Sequence, residues 1–194
     1  TSAGADFEAE VVELLGQIAA DAGDSGATAC GTSPTASGSK AGDATVDLSE
    51  GGGIVIEAKR RQSGLSTDAW RRELQSARTN RDAEVAIGVT TPETMPTKGR
   101  SLVRIGHDLV VAYDGSSVGY GRDLLASAYL LARLMVAVQR RPGDAPDVVA
   151  AAREIEAITR QVELLATAQR HAGQIARTAE RLGASVGEVR EAIA

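Results

Sequence analysis

The sequence predicts an α/β protein, with a mixed β-sheet flanked by helices and followed by long C-terminal α-helices. Two observations predict the sheet domain: a hairpin pattern over residues 43–59, and a helical pattern after it that leads into the apolar run "AEVAIGVT". A third observation sets the C-terminal region apart, because apolar residues recur there every three or four positions from Val148 to Leu182. We therefore expect an α/β domain over residues 1–118 and a helical, coiled-coil-like region over residues 119–194.

The composition limits the kind of core and the kind of surface that the chain can have. Of its 194 residues, 43% are hydrophobic and only 3% are aromatic, so the core must be aliphatic. The formal net charge is −5, which argues against a protein that coats nucleic acid with its whole surface. A local basic groove remains compatible with this charge.

The single cysteine and the hydropathy pattern indicate a cytoplasmic protein. Cys30 is alone, which excludes an internal disulfide and a thiolate zinc site and suits a reducing compartment. No apolar run approaches the roughly 20 residues of a membrane-spanning helix, and no signal peptide is recognisable. Because the sequence starts at Thr1 without methionine, we expect a processed chain or a piece of a longer one.

The elements of the α/β domain follow from periodicity and capping residues. Residues 5–20 predict an amphipathic helix with the apolar face Phe7, Val11, Leu14 and Ile18. Residues 21–42 are rich in Gly, Ser, Thr and Ala and predict a loop with a short strand at 27–30. Ser66 or Thr67 can cap a helix over 67–81 whose core side carries Trp70, Leu74 and Ala77. Residues 83–90 predict a buried strand, and "SLVRI" and "LVVAYD" predict two more on either side of the turn "GHD".

The C-terminal region predicts two further helices. The first covers residues 121–140 and ends before Pro142; the second runs from about Asp147 to Gly183, and the capping box "SVGE" starts another helix at Ser185. A helix of about 35 residues is roughly 50 Å long, which exceeds the width of the preceding domain. It needs the preceding helix or a second chain as a partner, and we expect a homodimer through these helices.

The hairpin "GDATVDLSEGGGIVIEAK", residues 42–59, separates apolar from charged side chains. With a turn centred on Gly51, Leu48 lies opposite Ile54 and Asp43 lies opposite Lys59. Within the two strands, 43–48 and 54–59, the even-numbered positions are all apolar: Ala44, Val46, Leu48, Ile54, Ile56 and Ala58. The odd-numbered positions of the strands are Asp43, Thr45, Asp47, Val55, Glu57 and Lys59, and they include every charged residue of the strands. One face therefore belongs to the core, and the other gathers three carboxylates and a lysine.

Two interpretations of the charged face remain open. It is either a solvated face with cross-strand charge pairs or a site for a hard cation, which prefers carboxylate oxygens. The apolar "GIVI" is typical of a central strand, and the helix that follows would cover part of the sheet, which favours the cation site. Besides Glu57, either Asp43 or Asp47 can provide the second carboxylate ligand, and we favour Asp43, which lies opposite Lys59.

These residues resemble the motif of the PD-(D/E)xK nucleases, the restriction-endonuclease-like superfamily. Asp43, a turn, an apolar strand and "IEAK" carry the resemblance, and the order helix, hairpin, helix and buried strand is similar over about residues 5–115. The resemblance implies that Asp43 and Glu57 bind Mg²⁺, with Mn²⁺ as a possible substitute, and that the backbone carbonyl of Ala58 and the first-helix residue Glu8 assist. It also implies that Lys59 positions or activates the attacking water. Gly42 stands where many members have proline.

A basic stretch follows the motif directly. We expect Arg60, Arg61, Arg71 and Arg78 to contact the phosphates of a nucleic acid, which we take to be DNA, although a solvated helix face with charge pairs would give the same pattern. His107 and His171 are the only histidines, which argues against a histidine metal site or a Ser-His-Asp triad.

Two functions are consistent with the sequence. One is a metal-dependent nuclease that hydrolyses phosphodiester bonds in DNA. The other is a non-catalytic DNA-binding or assembly module with a nuclease-like fold, which oligomerises through its C-terminal coiled coil.

Overall fold

A computed structural model describes residues 2–30, 41–115, 120–140 and 145–193. The described elements, in chain order, are α1 (Ser2–Asp21), β1 (Thr28–Ala29), β2 (Ala44–Asp47), β3 (Gly53–Lys59), α2 (Thr67–Arg81), β4 (Val85–Thr90), a short 3₁₀ helix (Pro92–Thr94), β5 (Leu102–Ile105), β6 (Asp108–Ala112), α3 (Tyr120–Arg140) and α4 (Ala145–Ile193). The fold is α/β, with a mixed sheet flanked by helices, as the sequence predicts. No helix within the described residues is both long enough and apolar enough to cross a membrane.

The sheet has six strands in the order β1-β2-β3-β4-β6-β5. β3 runs parallel to β4, and β4 runs parallel to β6, while the other neighbours are antiparallel. Helix α2 connects the parallel strands β3 and β4, which a tight turn could not join. β3 therefore lies inside the sheet, between the hairpin partner β2 and the buried strand β4.

Helices cover both faces of the sheet. α1 and α3 pack on one face, and every even-numbered hairpin position lies in that core: Ala44, Val46, Leu48, Ile54, Ile56 and Ala58. α2 packs on the other face, where Val55 contacts the cluster of Trp70, Leu74 and Ala77. Since Val55 and Glu57 are buried there, the interpretation of a solvated face does not hold for β3.

The register of the hairpin differs from the predicted one by two residues. Val46, not Leu48, pairs with Ile54, and Ala44 pairs with Ile56, so Asp43 comes level with Glu57 instead of Lys59. The turn is tighter than expected, because the N–H of Leu48 donates to the carbonyl of Gly52 at 2.9 Å. Gly51 and Gly52 allow this turn with positive φ angles of 87° and 93°. A shift of two keeps every side chain on its predicted face.

Among the α4 residues whose burial the structure describes, those that are buried lie in the first part of the helix. It contacts α3 and β5, and Ile155 and Thr159 are buried there. The predicted end at Gly183 and restart at Ser185 are wrong, since α4 continues through both residues. Gly183 keeps a helical backbone without a positive φ, at a propensity cost of only about 1 kcal/mol. The predicted helix end at Pro142 lies outside the described residues.

Candidate active site

Glu57 is the most constrained carboxylate of the predicted site. It lies on β3, beneath α2, and its side chain is 3% exposed. Its Oε2 accepts a hydrogen bond of 2.5 Å from the N–H of Gly42, and its Oε1 is ion-paired with Lys59. A buried carboxylate is held only where such partners replace water. The backbone at Gly42 and the side chain of Lys59 thus fix both oxygens of Glu57.

Gly42 can give this hydrogen bond because of its backbone conformation. Its φ angle is 94°, which favours glycine, and an added Cβ would lie 2.8 Å from Cγ2 of Val55 and 2.9 Å from Cγ of Arg81. Arg81 also donates to the carbonyls of Ala41 and Gly42, at 3.2 Å each. The turn that enters β2 is therefore built by glycine and by the last residue of α2.

Asp43 lies next to Glu57 at the start of β2. Its Oδ2 accepts a hydrogen bond of 2.7 Å from the N–H of Ala58. Burial and then the charge of Glu57 raise the pKa of Asp43 to about 6, and the charge of Glu8 on α1 adds to this. Glu8 is exposed but close enough to act on Asp43. The structure thus brings Asp43 and Glu57 together, and Glu8 acts on Asp43 only through its charge, whereas Ala58 contributes its N–H to Asp43.

Asp47 does not share this site. It lies at the far end of β2, level with Gly53, and its side chain is exposed. Four residues of a strand span roughly 13 Å, so Asp47 is too far from Glu57 to bind a common ion. Of the two candidates that the sequence leaves open, only Asp43 adjoins Glu57.

Lys59 lies two residues beyond Glu57 on the same face of β3. Burial acts to lower the pKa of its ammonium, but the hydrogen bond and charge of Glu57, together with Glu73 and Asp43, outweigh burial and raise that pKa. Its Nζ lies 3.4 Å from Oε2 of Glu73, a half-exposed residue of α2. Lys59 is therefore a protonated cation held between two carboxylates.

Glu73 is the site residue that sequence reasoning misses. It precedes the buried Leu74 on α2, at the edge of the face that packs on the sheet. In the sequence, the one feature that could have pointed to Glu73 is its position next to the apolar face of α2, the helix that follows "IEAK". Periodicity alone could not show that this flank of α2 passes over Lys59, because the crossing of helix and strand depends on tertiary packing.

The site offers oxygen donors of the kind that magnesium takes. Mg²⁺ is usually bound by one or two carboxylates and keeps several waters, and Asp43 and Glu57 provide two adjacent carboxylates. Among residues 2–30, 41–115, 120–140 and 145–193, no group of three or more His, Cys, Asp or Glu side chains is arranged to hold a metal ion. A cation here would depend on two carboxylates, on water and on Glu8.

The predicted phosphate-binding arginines have different surroundings. Arg60 and Arg61 are exposed directly after β3. Arg71 is 57% exposed and bonds Asp68 on the same helix at 2.7 Å. In Arg78, by contrast, Nε lies 2.8 Å from Oδ1 of the buried Asp108, which ties α2 to the start of β6. Of the four predicted arginines, Arg78 is therefore paired with a buried carboxylate, and Arg60, Arg61 and Arg71 are exposed.

Comparisons of this chain with models of protein families, with curated proteins and with solved structures give no match. The site is therefore interpreted from its own geometry.

Proposed function

We propose that the chain is a metal-dependent nuclease that hydrolyses phosphodiester bonds in DNA, with a restriction-endonuclease-like fold extended by long C-terminal helices. One observation carries this proposal: Asp43 and Glu57 lie side by side on adjacent strands, and Lys59 follows Glu57 on the same buried face. The parallel pairing of β3 and β4 through α2 is the arrangement expected of that fold. The single cysteine, Cys30, suits a cytoplasmic enzyme.

Each residue has a role that follows from its contacts. Asp43 and Glu57 would hold Mg²⁺ or Mn²⁺, assisted by the exposed Glu8, and the bound cation would polarise a phosphoryl oxygen. The N–H groups of Ala58 and Gly42 fix the two carboxylates before any cation arrives. Lys59, charged and only 21% exposed, would hold a phosphate oxygen or the attacking water as negative charge develops.

Two like charges at short range favour a cation site over a purely structural one. Asp43 and Glu57 repel each other, and burial makes this repulsion more costly. Lys59 compensates only part of it, since Lys59 is shared with Glu73. A divalent cation between the carboxylates would relieve the repulsion, which supports binding of Mg²⁺ on electrostatic grounds.

DNA suits the surface next to the site. Arg60 and Arg61 follow Lys59 directly in the chain and are exposed, and Arg71 is exposed on α2, so all three could neutralise phosphates of a bound DNA. Such contacts give affinity that is independent of sequence and falls with salt. The chain as a whole carries a net charge of −5, which disfavours DNA binding over the rest of its surface.

The test is a plasmid-cleavage assay with Mg²⁺ or Mn²⁺ and with EDTA. We expect cleavage by the wild-type chain only with metal, and its loss in Glu57→Gln and Lys59→Met. Asp47→Asn is the matched control, because it removes a carboxylate from the far end of the same hairpin and should leave cleavage unchanged. Equal activity of wild type and Glu57→Gln, or activity that persists in EDTA, would exclude this mechanism.

A second candidate function is a non-catalytic DNA-binding or assembly module. The contacts of Glu57 favour it, since Gly42 and Lys59 already engage both oxygens of this carboxylate without a cation. In that case the affinity for DNA, measured by fluorescence anisotropy, would be the same with and without EDTA and would not change in Glu57→Gln. It would still weaken on replacement of Arg60 and Arg61.

A further inference from the structure

The apolar surface of α4 changes from buried to exposed along the helix. Ile155 is 3% exposed, and Val162 is partly buried against the domain. Beyond this point the large apolar side chains face solvent, with exposures of 65% for Leu165, 70% for Ile175 and 62% for Leu182. The second half of α4 thus presents an apolar surface that its own domain does not cover.

This exposed surface is not a continuation of the buried one. At about 100° per residue, Ile155, Thr159 and Val162 point in one direction from the helix axis. The later apolar residues point roughly 130° away from that direction. The set consists of Leu165, Ala168, Ala172, Ile175, Ala179 and Leu182, all of them exposed, and we call it the distal seam. Because the seam turns away from the domain, the described elements that pack on the first part of α4 do not cover it.

The distal seam has the spacing and the flanks of a two-helix interface. Its steps alternate between three and four residues, with Leu165, Ala172 and Ala179 as the a positions of a heptad. The flanking e and g positions from Gln169 onward are uncharged: Gln169, His171, Ala176, Thr178, Gly183 and Ser185. The nearby charges of Arg170, Arg177, Glu180 and Arg181 all fall at other positions. A seam without flanking charge can meet an identical seam without repulsion.

We propose that the distal seam binds the distal seam of a second copy of this chain, with the two helices antiparallel. The symmetry axis lies between Gly173 and Gln174. Leu165 then packs against Leu182 of the other copy, Ala168 against Ala179, and Ala172 against Ile175. This is the only antiparallel register in which all six seam positions of each helix find a partner. Every contact joins an a position to a d position, as the antiparallel orientation requires, and two-fold symmetry makes each contact occur twice.

Side-chain size favours the antiparallel over the parallel orientation. In a parallel pair, Ile175 of one chain would face Ile175 of the other, while the neighbouring layers would pair Ala172 with Ala172 and Ala179 with Ala179. The distance between the helix axes would then have to increase and decrease again within one heptad. The antiparallel pair sets Ile175 against Ala172, and facing large and small residues keep the spacing even. The antiparallel pair also places the two α/β domains at opposite ends of the paired helices. A parallel pair would place both domains at the same end. There the seam begins at Leu165, only three residues after Val162, which packs against the domain, and this leaves too little room for two domains.

The first test is the mass of the full chain in solution. Light scattering should give twice the 20.0 kDa of one chain for the wild type, and a monomer for Ile175→Glu. Gln174→Glu is the matched control, since it adds the same charge one residue away, off the seam, and should stay dimeric. Unchanged far-UV circular dichroism would show that Ile175→Glu still folds. A wild-type monomer at the highest soluble concentration, or a dimer that survives Ile175→Glu, overturns the proposal.

The second test fixes the orientation by crosslinking in a Cys30→Ser background. The double variant Ala168→Cys, Ala179→Cys should form a covalent dimer with a short bismaleimide. Each single variant should not, because residue 168 of one copy lies about 16 Å along the axis from residue 168 of the other. Crosslinking of the single variants would show a parallel pair and refute the antiparallel register. Both tests are independent of any nuclease activity.

Discussion

Replacement of Asp43 by asparagine should make the folded chain more stable at neutral pH. The side chain of Asp43 is brought against Glu57 and away from water, and these two effects raise its pKa from 3.8 to about 6. A raised carboxyl pKa means that the folded state holds the proton more tightly than the unfolded state does. The free energy of unfolding therefore falls as pH rises from about 4 to about 6, and the whole cost is present above pH 6. Asparagine cannot ionise, so the variant does not carry this cost in unfolding free energy.

The size of this effect follows from the shift in pKa. A shift of about two units corresponds to at most ~3 kcal/mol at 1.36 kcal/mol per unit. Because Asp43 is partly exposed, solvent screening reduces this, and we expect Asp43→Asn to gain about 1–2 kcal/mol at pH 8. The asparagine carbonyl oxygen can still accept the hydrogen bond from Ala58, so little should be lost in exchange.

The assay is urea unfolding of wild type and Asp43→Asn between pH 3.5 and pH 8, in EDTA. The difference in unfolding free energy should vanish near pH 3.5 and reach its maximum above pH 6. Asp47→Asn, an exposed position on the same strand, should show no such dependence. Added Mg²⁺ should then stabilise the wild type more than Asp43→Asn, because the cation offsets the repulsion. A variant that is less stable than the wild type at pH 8 would refute the reasoning.

Three further changes test the site and the fold around it. Glu73→Gln should lower kcat for DNA cleavage about tenfold with little change in KM, because Lys59 loses a charged partner that orients it; an unchanged kcat would show that Glu73 is not needed. Gly88→Ala should cost about 1–3 kcal/mol in urea unfolding, since the new Cβ would lie 2.6 Å from Cζ3 of Trp70, and a neutral result would contradict this packing. Ser66→Ala should cost about 1 kcal/mol through the lost N-cap of α2, and Ser66→Asp, which keeps a capping oxygen, should restore most of it.

Periodicity predicts most of the α/β domain because the position of each residue in the repeat of a strand or helix decides whether its side chain is buried or exposed. The alternation along the hairpin identifies the six side chains that enter the core, and all six are buried there. Capping chemistry is equally local. The side chain of Ser66 accepts a hydrogen bond from the N–H of Ala69 and caps the start of α2. The helix covers Thr67–Arg81, as predicted. The short strand at residues 28–29 and the turn between β5 and β6 also agree with the predicted positions.

The hairpin register could not be obtained in the same way. A shift of two residues leaves each side chain on its face, so alternation cannot distinguish Lys59 from Glu57 as the neighbour of Asp43. The turn decides between them, and there Gly51 and Gly52 permit a tighter connection than the predicted one. The correction has a chemical consequence, because it places two carboxylates, and not a carboxylate and an ammonium, at the same level of the sheet.

The arginines show a second limit, since their roles depend on residues distant in sequence. Arg71 and Arg78 look equivalent on the helical repeat, yet Arg78 meets the buried Asp108, thirty residues away, while Arg71 bonds Asp68 on its own helix. The pattern of charges in the sequence predicts where cationic side chains lie, but it cannot show which of them form ion pairs with buried carboxylates in the fold. Of the four predicted arginines, the exposed Arg60, Arg61 and Arg71 therefore remain as candidates for phosphate contact.

The departure at Gly42 from the nuclease motif has a physical explanation that the sequence alone could not supply. Proline at this position has no N–H, so it could not donate the hydrogen bond that Gly42 gives to Glu57, and its φ is fixed near −65°. Gly42 instead uses a φ of 94° to turn its N–H toward the carboxylate. Position 42 thus orients Glu57 through the backbone. Because a fixed Glu57 is what a cation site requires, glycine here does not weaken the nuclease proposal.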